Sequence, residues 1–107
     1  MKNSDSKIQE IQFLEQNLQN LLMQKQAFQM ELSETQAALK ELENSGEEVF
    51  KIVGQLMIKS DKGKMQKELA EKEKIINLRT TTIEKQENSL SEKLTSLRDE
   101  IMKSMKK

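Results

Sequence analysis

The chain contains no cysteine, histidine, proline, tryptophan or tyrosine. Without cysteine there are no disulfides and no thiol nucleophiles. With histidine also missing, the usual zinc ligands and the commonest general base are gone as well. Catalysis would have to rest on carboxylates and lysines, which here fall on outward helix positions with no pocket to gather them, so no enzyme is expected. No apolar run approaches the roughly 20 residues that span a bilayer, and the beginning of the chain carries no signal-peptide core. The expectation is a cytoplasmic chain with no membrane partner. An excess of one charge is lacking too: 18 basic residues balance 18 acidic ones. No overall field therefore draws the chain to nucleic acid. Arg79 and Arg98 are the only arginines, which leaves bidentate phosphate or guanine recognition poorly supplied. "DKGKM" at Asp61–Met65 has a single glycine and lacks phosphate-loop spacing. Neither a metal nor a cofactor is expected.

What is present is charge, at 34% of residues, and apolar side chains, at 35%. That balance belongs to long solvated helices rather than to a compact globule. Gly46, Gly54 and Gly63 share one central window, and outside it nothing breaks a helix. The pattern predicts a single domain over 1–107: a helix near 5–45, a short insert near 48–60 and a second helix near 63–106. Ile11, Leu14, Leu18, Leu21, Lys25, Phe28, Leu32, Thr35, Leu39 and Leu42 alternate steps of three and four, which is a coiled-coil seam. Leu69, Ile76, Ile83, Leu90 and Leu97 form one row of a second seam; Glu73, Thr80, Glu87, Leu94 and Ile101 form the other. A stripe this narrow suits one partner helix. Two helices of similar length joined by a short insert fold back as an antiparallel pair. One register sets Ile11 against Leu97, Leu14 against Leu94, Leu32 against Ile76 and Leu39 against Leu69. The same register brings Lys25 within a layer of Glu87, a semi-buried ion pair expected to fix the alignment more than to stabilise it.

The insert, "VFKIVGQLMIK", reads as a β-hairpin, with strands at Val49–Val53 and Leu56–Ser60 and Gly54 leading a type II′ turn. One face carries Val49, Val53, Leu56 and Ile58 around Lys51; the other carries Phe50, Ile52 and Met57 beside Lys59. A lone hairpin is marginal in water, and one with two apolar faces and two open edges invites pairing with other chains. The insert is thus expected to be an oligomerisation module built from Val49, Phe50, Ile52, Val53, Gly54, Leu56, Met57 and Ile58. The fold class expected is mainly α: an antiparallel two-helix coiled coil with one β-hairpin between the helices, the hairpins assembling into an intersubunit β-barrel.

The order of "LLMQKQAFQMELSETQAALKEL" (Leu21–Leu42), "VFKIVGQLMIKSDK" and "KELAEKEKIINLRTTTIEKQENSLSEKL" resembles the β-class subunits of prefoldin over nearly the whole chain. The insert has room for one hairpin, as the β class requires, where the α class carries two. Phe50 stands where the family pattern suggests tyrosine. The resemblance implies an ATP-independent chaperone subunit in a hexamer of two α-class and four β-class subunits. It also implies non-native client proteins held at coiled-coil tips and delivered to a group II chaperonin. The tip residues would be Ile8, Ile11, Phe13 and Leu14 from one end of the chain and Leu97, Ile101, Met102 and Met105 from the other. Ile11, Leu14, Leu97 and Ile101 are also seam residues with a core role. The alternative is a coiled-coil scaffold or tether without client binding. A tether accounts for both seams but not for a hairpin with two apolar faces.

Overall fold

The computed structural model describes residues Lys2 to Met105, so the last two lysines of "KSMKK" and position 106 of the expected second helix lie outside them. Element order is α1 (Lys2–Glu43), β1 (Glu48–Val53), β2 (Leu56–Asp61) and α2 (Lys62–Met105). The residues cluster into two compact units. A terminal unit takes the chain up to Ala27 and again from Thr80, and a central unit is Phe28–Arg79.

In the terminal unit the two helical segments run antiparallel. Lys7 pairs with Glu100 at 3.2 Å, Glu15 with Arg98 at 3.5 Å, and Lys25 with Glu87 at 3.5 Å. On the same segments Leu14, Ile83 and Leu94 are buried. Ile11, Leu18, Leu21, Leu90, Leu97 and Ile101 are half-buried beside them. Each sits on a heptad seam, so the narrow stripe meets one partner segment and is used up by it.

In the central unit Thr35, Leu42 and Ile76 are buried, with Leu32, Leu39 and Leu69 half-buried. Thr35 is tolerated there because its hydroxyl donates to the Glu31 carbonyl of its own helix at 2.8 Å. The three consecutive threonines at Thr80–Thr82, poor helix formers, do not interrupt α2.

The hairpin joins α1 and α2 asymmetrically. Four residues, 44–47, separate α1 from β1, whereas β2 ends at Asp61 and α2 begins at Lys62. The immediate start has a local cause. Asp61 Oδ1 accepts the backbone N–H of Lys64 at 2.8 Å, a side-chain cap on the new helix. Lys62 in turn donates from Nζ to the carbonyls of Glu43 and Ser45, both at 3.2 Å, satisfying acceptors at the end of α1.

Candidate functional site

The strands pair antiparallel, with Val53 opposite Leu56, Ile52 opposite Met57, Lys51 opposite Ile58 and Phe50 opposite Lys59. Gly54 has φ +60° and no non-glycine residue has positive φ among the described residues. Gln55 therefore keeps an ordinary φ, the combination a type II′ turn needs. Both strands extend one residue further than the alternation suggested, through Glu48 opposite Asp61. The Lys62 N–H continues the ladder to the Glu47 carbonyl at 3.1 Å.

Only the base of this sheet finds cover in the chain. Val49 and Ser60 are half-buried, and Val49 and Phe50 line a recess with Leu42, Met65 and Leu69. Lys51 reaches across to Glu68 of α2 at 3.1 Å, which anchors the face carrying Val49, Val53, Leu56 and Ile58. Beyond the base the surface is apolar and wet. Ile52 is 71% exposed, Met57 68% and Leu56 67%, with Phe50, Val53 and Ile58 also exposed. The sheet has two strands only, so both edges carry unpaired backbone groups. A cross-strand pair, Lys59 with Glu48 at 3.3 Å, marks the polar margin.

At the other candidate site, the helix ends in the terminal unit, the eight side chains divide in two. Leu14 is buried and Ile11, Leu97 and Ile101 are half-buried, all on the seams. Ile8, Phe13, Met102 and Met105 lie off the seams and are exposed, Met105 at 79%. Between them the Lys7–Glu100 pair ties the two helices together.

Lys25 lies against two carboxylates, Glu87 at 3.5 Å and Glu84 at 3.7 Å. The heptad pattern pointed to Glu87 alone, because Glu84 sits outside the seam and reaches in only through its long side chain. Glu87 Oε1 is buried and accepts no hydrogen bond in addition to this ion pair.

Other exposed apolar residues were not singled out by pattern: Leu22, Met23, Met30, Ile75 and Leu78. They occupy outward heptad positions, where periodicity carries no signal. Among the described residues, no group of acidic, cysteine or histidine side chains could hold a metal ion, and no helix is long and apolar enough to cross a membrane.

The family model described as prefoldin subunit matches residues 5–107. The prefoldin subunit beta of Thermococcus onnurineus is 39% identical over 94 residues, covering 86% of this chain and 81% of that protein. The prefoldin subunit beta of Sulfurisphaera tokodaii is 40% identical over 93 residues, covering 85% of this chain and 74% of that protein. The crystal structure of the prefoldin beta subunit from Thermococcus strain KS-1 superposes with a TM-score of 0.92 at 33% identity, covering 100% of this chain and 96% of that one.

Proposed function

The chain belongs to the prefoldin subunit family, with beta subunits among its relatives, and from that premise we propose that its hairpin is an assembly module and its helix ends a client-holding surface. It is a prefoldin chaperone subunit that assembles with other prefoldin subunits. In the proposed assembly the hairpins of two α-class and four β-class subunits pair along their open edges and close into β-barrels. The coiled coils are left free to reach a non-native protein. Holding requires no nucleotide, and the client passes from the tips to a group II chaperonin in the cytoplasm.

One observation supports this reading above the others: six large apolar side chains stand exposed on both faces of a two-stranded sheet whose edges are open. A chain built to stay alone would not expose such a surface. A tether has no use for it. The helix ends contribute exposed methionine and phenylalanine, side chains suited to apolar contact of low selectivity. Several tips acting on one client raise affinity through effective concentration while each contact stays weak enough to release.

The test is co-expression with the α-class prefoldin subunit of the same genome, followed by native mass measurement and an aggregation assay on a denatured client without ATP. A six-chain complex that suppresses aggregation is expected. A chain that remains a monomer or dimer with every α-class partner overturns the proposal in favour of the tether.

A further inference from the structure

We propose that Met57 is a reversible oxidation site whose sulfoxide closes the hairpin to assembly; the inference rests on the assembly reading above. The chain has no cysteine, so a reversible oxidative response has to pass through its seven methionines. Met57 is the one that lies in the hairpin. It is exposed, stands directly opposite Ile52 and shares a face with Phe50. In the unassembled subunit its thioether is open to water-borne oxidants.

The two faces of the hairpin are not equivalent. The face of Val49 and Lys51 is partly held by the chain itself, through the half-buried Val49 and the Lys51–Glu68 pair. The face of Phe50, Ile52 and Met57 has its charged groups at the margin, where Lys59 is paired with Glu48 and Asp61 caps α2. Both faces leave apolar side chains for a partner strand or sheet to cover, and on this one Ile52 and Met57 are the most open, 71% and 68% exposed, with Met57 at the outer end next to the turn.

The chemistry is a two-electron oxygen transfer from hydrogen peroxide. A lone pair on Met57 Sδ attacks one peroxide oxygen, the S–O bond forms as the O–O bond breaks, and the departing oxygen leaves as water after taking the transferred proton. The thioether is oxidised to the sulfoxide and the peroxide is reduced. A flexible apolar side chain becomes a polar one that needs a hydrogen-bond donor, and an apolar interface offers none. Burial of the sulfoxide should weaken assembly by about tenfold or more, the size of one unpaired polar group. Once assembled, the covered sulfur is protected, so the site reports on free subunits.

The experiment treats the free subunit with hydrogen peroxide, removes the oxidant, adds the α-class partner and measures the assembly midpoint by native mass, with circular dichroism checking that the helices persist. Wild type should lose assembly about tenfold or more and regain it after methionine sulfoxide reductase treatment. Peroxide should leave the assembly midpoint of Met57→Leu at that variant's own untreated value, although Met23, Met30, Met102 and Met105 still oxidise. Untreated Met57→Gln should assemble as poorly as oxidised wild type. The inference is overturned if oxidised wild type assembles with an unchanged midpoint, if peroxide disables Met57→Leu equally, or if Met57→Gln assembles normally. Failure of the untreated wild-type chain to assemble would instead overturn the assembly reading itself, and this inference with it.

Discussion

At the scale of single residues, the polar members of the seams carry more information than the leucines. Lys25 and Glu87 have side chains only 23% and 21% exposed, and their charges meet at 3.5 Å. An ion pair this sheltered adds little stability when intact and costs much more when halved. Lys25→Glu, which would put a third carboxylate beside Glu84 and Glu87, should lower stability by about 2 kcal/mol, a value between the exposed and fully buried cases. The double change Lys25→Glu with Glu87→Lys should recover most of that loss. Thermal unfolding followed by circular dichroism decides: a single reversal with no effect would remove the pair from any role in alignment. Periodicity made this contact legible because both residues fall on seam positions, where opposite charges one layer apart are brought together. It did not make Glu84 legible, since a residue outside the seam gives no such signal.

At the scale of elements, the hairpin was the most readable part of the chain. Alternating Val, Ile, Leu and Met around Gly54-Gln55 determines turn type, register and faces together, because a slip of one residue would exchange the faces. The observed pairing of Ile52 with Met57 follows from that rule. Boundaries were harder to read. The start of α2 depends on whether Asp61 bonds the backbone ahead of it, and "SDKGK" looks as much like a turn as like a cap until that 2.8 Å bond is seen. Two substitutions of opposite sign test the cap. Asp61→Ala should destabilise the chain by about 1 kcal/mol, the usual loss of an N-cap. Gly63→Ala should stabilise it by about 0.5 to 1 kcal/mol, since a Cβ there meets only Asp61 Oδ1, at an ordinary 3.6 Å, and glycine is a poor helix former. Both are read as thermal midpoints of the isolated chain. A neutral Asp61→Ala would show that the bond is incidental.

At the scale of the whole molecule, the seams and the hairpin were legible because each uses a strict period. The helix ends were legible only in part. A seam residue such as Leu97 satisfies its period whether or not it ever touches a client, while Phe13 and Met105 satisfy none. Their role has to be measured. Removing the chain before Phe13 and after Leu97 should leave the assembly intact and abolish suppression of client aggregation. Truncated complexes that protect a denatured client as well as the full-length ones would place client holding elsewhere, with the outward Leu22, Met23 and Met30 as the next residues to change.

The uneven attachment of the sheet has a mechanical consequence. On one side four residues, 44–47, intervene and are tied to Lys62 through the Ser45 and Glu47 carbonyls, and on the other Asp61 passes straight into Lys62. Torque on the second helix is therefore handed to the sheet directly, while torque on the first reaches it through that segment and its bonds to Lys62. A glycine inserted after Ser45 should weaken subunit association less, in native mass measurements, than the same glycine between Asp61 and Lys62, which should abolish it. The hairpin is joined directly to one helix and through an intermediate segment to the other, so in the proposed assembly a load pulling unequally on the two would rotate the sheet edge offered to neighbouring subunits.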